Sequence, residues 1–123
     1  MAARVPRTQR ELITAGRRTV AISNPEKVLF PAPGYTKRDL AEFYRGIFSR
    51  LAPYVKDHPL TLERCPDGIV GDCFYQKEKP PGMPADTPTQ KIKHEKGTTN
   101  YVVGGRLETE LALVNLGCIA VHV

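Results

Sequence analysis

The eighteen residues from 23 to 40, SNPEKVLFPAPGYTKRDL, constrain this chain more than any other stretch. Asn24 is a good capping residue, and Pro25 suits the first position of a helical turn. Val28, Leu29 and Phe30 read as inward-facing. Pro31 and Pro33-Gly34 then break the chain. Thr36 starts a helix, with Asp39 three residues on to complete a variant capping box. The result is a backbone cradle with Lys27 and Lys37 aimed into it. A helix start offers free N–H groups and a favourable dipole to an anion, and each lysine adds a full charge. The stretch therefore reads as a phosphate-binding entrance to the domain. A blander reading leaves Asn24 as a cap and both lysines in solvent, and spacing alone favours it.

The remaining elements build a mixed α/β (α+β) chain around that entrance. Residues 1–17 read as a basic flexible arm, with Arg4, Arg7 and Arg10 recurring without an apolar face. Residues 18–123 form the domain, and residues 17–22 its first strand. After Thr36, the residues Leu40, Phe43, Tyr44, Ile47, Phe48 and Leu51 fall at helical spacing and read as a core stripe ended by Pro53. Residues 59–64 and 73–77 read as two strands paired as a hairpin across the Cys65-Pro66-Asp67-Gly68 turn. Four prolines between residues 78 and 89 demand an irregular loop. Two further strands, 90–95 and 100–103, flank Lys96-Gly97. A helix follows over 106–116 with Gly117 as its stop. The run CIAVHV, 118–123, reads as an apolar strand buried on both faces. A chain that stops inside its most apolar strand leads us to expect further sequence downstream and, for the isolated chain, self-association through the bare strand edge.

Composition narrows the partners. The formal charge is +5, which favours a polyanion. No apolar run approaches the ~20 residues of a membrane span, and no apolar signal-peptide core is present, so no membrane partner is expected. Cys65, Cys73 and Cys118 form no CxxC pair, which points to reduced cytoplasmic thiols rather than a disulfide framework or a zinc site. His58, His94 and His122 show no ligand spacing. In the second strand of the hairpin, alternation sets Phe74 and Gln76 on one face and Tyr75 and Lys77 on the other. An aromatic there can stack on a base while a cation meets phosphate, and one of the two aromatics is expected to be core.

Four motifs in order, SNPEKVLFPAPGYTKRDLAEFY, HPLTLERCPDG, CFYQK and NLGCIAVHV, give a further reading. Together they resemble the polymerase domain of bacterial DNA ligase D, of the archaeo-eukaryotic primase superfamily, which acts in non-homologous end joining. The resemblance covers residues 19–123 and implies the N-terminal portion of a primase-polymerase fold, a mixed sheet with two main helices. By its motif positions, Asn24, Lys27 and Lys37 would hold the 5′-phosphate of a DNA end. Arg64, Phe74, Tyr75 and Lys77 would line the DNA-contacting surface. His122 would lie near the active site, at the end of the strand that precedes the catalytic aspartates. The family's chemistry is two-metal nucleotidyl transfer with Mn²⁺ or Mg²⁺, with ribonucleotides preferred. Its implied partners are DNA with 5′-phosphorylated ends, NTPs in the complete domain, a Ku-type end-binding protein and a ligase module, in the nucleoid-associated cytoplasm.

The family's Asp-x-Asp pair is missing from this chain. Glu108 and Glu110 share the i, i+2 spacing but fall on a helix, where they diverge by roughly 200°. No metal ligands are assigned. The expectation is a truncated or split polymerase domain that does not extend a primer alone. The alternatives are a non-catalytic module that grips 5′-phosphorylated ends, and a non-functional gene remnant.

Overall fold

A computed structural model describes residues 10–123. Nine strands and two helices follow one another among these residues. The first two strands, β1 (Arg10–Ala15) and β2 (Arg18–Ser23), pair antiparallel in full register, from Arg10 opposite Ser23 to Ala15 opposite Arg18. Gly16, at φ 66°, makes the tight turn that only a residue without Cβ enters freely. Alternation explains the burial, since Ile13 and Ala15 point inward while Leu12 and Thr14 point out. The expected arm is therefore corrected at residues 10–15, which are strand. Arg4 and Arg7 lie outside the described residues.

The short strands β3 (Val28–Phe30) and β4 (Tyr35–Thr36) form a ribbon that leads into α1 (Lys37–Val55). The capping box forms as expected. Thr36 Oγ1 accepts from the Asp39 amide at 3.2 Å, and Asp39 Oδ2 accepts from the Thr36 amide at 2.9 Å. Two details of this helix differ from the sequence pattern. Pro53 sits inside the last turn rather than beyond it; it forfeits one i→i−4 bond, and the helix closes with the Lys56 amide on Ala52 O at 2.8 Å. Phe43 is 55% exposed, so the apolar stripe is not core along its whole length: Leu40 and Tyr44 join one apolar cluster, and Leu51 packs against a second.

Strand β5 (Thr61–Arg64) is central in a three-stranded sheet between β6 (Phe74–Gln76) and β9 (Cys118–His122), all antiparallel. The β5–β6 pairing is the expected hairpin. Between β6 and β9 in the chain, β7 (Thr89–His94) and β8 (Gly97–Val102) form a separate ribbon turned at Glu95-Lys96. Helix α2 (Leu107–Asn115) ends at Gly117, whose φ of 84° accommodates the expected stop.

Helix α2 joins two apolar clusters. Leu111 and Val114 pack with Ile13, Ile22, Leu29 and Leu40; Ala112 and Leu113 pack with Val55, Leu60, Leu62 and Val102. A helix that is apolar on several sides is one buried on several sides, and α2 is.

Two expectations are overturned here. Cys65 and Cys73 are joined as a disulfide, not held as reduced thiols; Cys118 is the free, buried one. The eight-residue separation closes the β5–β6 loop, which brings the ends of two paired strands together. Strand β9 is fully buried only at Cys118. Ile119, Ala120 and Val121 are half-buried and His122 is exposed, because β9 pairs with β5 on one side only among the described residues.

Candidate nucleic-acid interface

The cradle forms, with a different wiring from the one expected. Asn24 takes a left-handed φ of 50° and is exposed, while Pro25 beside it is buried. The turn closes when the Lys27 amide donates to Asn24 O at 3.0 Å. The next two contacts fold the turn onto the helix start: the Lys37 amide donates to Lys27 O at 2.8 Å, and the Arg38 amide to Pro25 O at 2.9 Å. With the Asp39 amide held by Thr36, the first three amides of α1 all have partners. The expectation that this helix start offers free N–H groups is thus corrected. Any anion here is met by side chains.

Lys37 supplies the unexpected part. Its side chain runs inward, leaving the residue 6% exposed, and its ammonium donates to Ser23 O at 2.7 Å and Asn115 O at 3.1 Å. Asn115 O is a carbonyl at the C-terminal end of α2, where the helix dipole favours a cation. Burial first, and the neighbouring Lys27 charge second, hold the Lys37 ammonium below the usual lysine value. An ammonium has three donors, so two bonds leave the third N–H without an acceptor among the described residues. Lys27 is more open, and its ammonium pairs with Asp67 Oδ1 at 3.2 Å. Both partners of that pair are solvated, so it is weak and exchangeable.

The second half of the interface is the β6–β5–β9 sheet. Arg64 is fixed by two bonds, from Nε to Leu116 O at 3.0 Å and from Nη1 to Gln76 Oε1 at 2.8 Å. Its guanidinium lies 5.2 Å from the centre of the Phe74 ring. Phe74 is 43% exposed and Tyr75 is 67% exposed. The expectation that one of them is core is corrected, because both faces of this three-residue strand remain open. Register places Glu63 opposite Tyr75 and Thr61 opposite His122 on the same face. There His122 Nε2 lies 3.2 Å from Glu63 Oε1, and its ring centre 5.9 Å from that of Tyr75. Lys77 follows the strand and is exposed.

The loop 65–73 links the halves. It carries Asp67 to Lys27, its Ile69 amide donates to Leu29 O at 2.9 Å, and its disulfide ends immediately before Phe74. Asp67, Ser23 and Asn115 were not singled out from sequence. The N-L-G run that contains Asn115 was the available signal.

No group of three or more His, Cys, Asp or Glu side chains among the described residues is arranged to hold a metal ion. Glu108 turns towards Arg18 at 3.6 Å, Glu110 is buried, and Glu63 faces His122. These carboxylates do not fit a pair of Mn²⁺ or Mg²⁺ ions. No helix is long and apolar enough to cross a membrane. A separate cleft of about 330 Å³ opens beside β2, where Arg18 bridges Asp86 and Glu108.

Three comparisons bear on this geometry. A family model described as LigD, primase-polymerase domain, matches residues 36–123. A multifunctional non-homologous end joining protein LigD of Mycolicibacterium smegmatis is 31% identical over 104 residues, which is 85% of this chain and 14% of that protein. Its counterpart in Pseudomonas aeruginosa is 32% identical over 107 residues, or 77% of this chain and 12% of that protein. The chain thus spans only a small part of the curated relatives it matches. A solved structure, the polymerase domain from Mycobacterium tuberculosis ligase D in complex with DNA, superposes with a TM-score of 0.80 at 26% identity, covering 86% of this chain and 37% of that one.

Proposed function

We propose, from the premise that the chain belongs to the LigD primase-polymerase domain family, that it forms the DNA-end-gripping part of an end-joining repair polymerase. Asn24 and Lys27 meet the 5′-phosphate of a DNA end, and Lys37 backs them with its charge and its remaining N–H. Arg64, Phe74, Tyr75 and Lys77 hold the strand, with exposed aromatics stacking on bases at about 1–3 kcal/mol each. His122 borders the reaction centre of the complete domain. NTPs and Mn²⁺ or Mg²⁺ belong to that complete domain, with a Ku-type protein and a ligase module as its further partners. The carboxylates of this chain do not fit the ions, so no metal step is assigned to them.

One observation carries the reading. The Lys37 amide donates to Lys27 O at 2.8 Å, which brings the two lysines to one turn whose outer residue, Asn24, is exposed. Two cations held together in this way concentrate positive potential where an anion lowers the energy of both. The similarity to a polymerase domain in complex with DNA supports the choice of anion.

Fluorescence anisotropy with 5′-phosphorylated and 5′-hydroxyl duplexes of one sequence tests it. The phosphorylated end should bind more tightly, and Lys27→Ala should remove that preference and lower the salt slope by about one unit. Equal affinity of the unaltered protein for both ends would overturn the reading.

A further inference from the structure

The N-L-G run at the end of α2 has a task that the phosphate reading does not account for. Asn115 reaches across a sequence separation of 92 residues to Ser23, the last residue before the Asn24 turn. Its Oδ1 accepts from the Ser23 amide at 2.8 Å and from Ser23 Oγ at 3.1 Å. Its own carbonyl accepts from Lys37 Nζ at 3.1 Å, beside Ser23 O, which accepts from the same ammonium at 2.7 Å. One residue therefore fixes both where the turn begins and where the buried cation ends. Gly117, two residues on, holds this helix end against the 65–73 loop: a Cβ at Gly117 would meet Pro66 Cα at 2.7 Å. The Asn115 carbonyl cannot shift without moving that contact.

We propose that Asn115 is a positioning residue for 5′-phosphate recognition, setting the Asn24–Lys27 turn and the free N–H of Lys37 at one fixed separation through Ser23. The proposal rests on the phosphate reading of the same site. In this proposal Asn115 positions other residues and does not itself serve to contact nucleic acid. It acts through Ser23 and Lys37, and it makes discrimination between end chemistries depend on the α2 terminus. A lysine on an exposed stem would attract any phosphate of the backbone equally. A lysine held by two carbonyls presents one N–H in one direction, which suits a terminal phosphate brought to that point.

The experiment compares the full chain with Asn115→Ala and Ser23→Ala, using the two duplexes above. The readout is the ratio of affinities for 5′-phosphate over 5′-hydroxyl ends, with melting by circular dichroism alongside. Asn115→Ala should cut the ratio about tenfold, as expected when two fixing hydrogen bonds are lost, while leaving 5′-hydroxyl binding nearly unchanged. Ser23→Ala removes only the hydroxyl bond, keeps the fold, and should cut the ratio about threefold. A purely structural role would instead weaken both duplexes together. Retention of the unaltered ratio in both variants, or a parallel loss for both duplexes, overturns the proposal while leaving the phosphate reading intact. Absence of any preference in the unaltered protein removes both.

Discussion

The start of α1 and the middle of α2 each bury an ionisable side chain, and they resolve the cost in opposite ways. Lys37 remains a donor to two carbonyls. Glu110 is 3% exposed, and its Oε2 has no hydrogen-bond partner. Burial alone pushes the Glu110 carboxyl up to about 7. The groups beside it offer no cation. Tyr44 gives its hydroxyl to Ile119 O, and the Cys118 thiol is itself pushed up to about 12 by burial, with the Glu110 charge adding to the shift. A partnered ion can be part of a binding site at neutral pH. An unpartnered one resolves its burial by taking a proton.

The largest expected effect tests the partnered side. Lys37→Met keeps the stem but leaves two buried carbonyls unmet, and should cost about 2–5 kcal/mol in urea unfolding. A cost below about 1 kcal/mol would erase the contrast with Glu110. The unpartnered side makes a prediction about pH. The folded-state value of Glu110 lies above its unfolded one, so the native state binds the extra proton between about 4.5 and 7. Stability from this group is therefore retained below that window and lost as pH rises through it. Glu110→Gln should gain about 2–3 kcal/mol more at pH 8 than at pH 5. A pH-independent effect would show that the carboxyl is not taking up a proton on folding.

Smaller effects sharpen the same contrast by reaching outwards from the two sites. Reducing the Cys65–Cys73 disulfide should lower stability by about 2 kcal/mol, because its loop is short. It should also weaken DNA binding more than Lys37→Met does at 5′-hydroxyl ends, since that loop adjoins Phe74 rather than the cradle floor. Thr36→Ala should cost about 1 kcal/mol through the lost cap, measured by chemical denaturation. Lys27→Ala should change stability by less than about 0.5 kcal/mol, because its pair with Asp67 is solvated, and should act on binding alone.

Much of the chain is legible from local pattern. The Thr36/Asp39 cap, the β5–β6 hairpin, the proline-rich loop and the Gly117 stop each depend on residues within a few positions of one another, and each forms as expected. The turn running into a helix forms where the sequence places it. The amides expected to be free there are bonded instead, to Lys27 O, Pro25 O and Thr36 Oγ1. Residues 10–15 read as arm in the sequence because one short alternating strand is indistinct until its partner, β2, is known. Phe74 and Tyr75 both remain exposed because only single side chains, Arg64 on one face and His122 on the other, lie beside them.

The sequence by itself determined the two helices, six of the strands among the described residues, the position of the cationic turn and the motif order that marks the family. Those properties follow from periodicity, capping and turn chemistry, which act between neighbours along the chain. Only the tertiary structure decided that Lys37 is buried and Lys27 open, that Cys65 finds Cys73, and that Asn115 governs Ser23 from 92 residues away. The reason is that burying a polar group is stable only when a partner arrives from elsewhere in the chain, and that arrival is a property of packing.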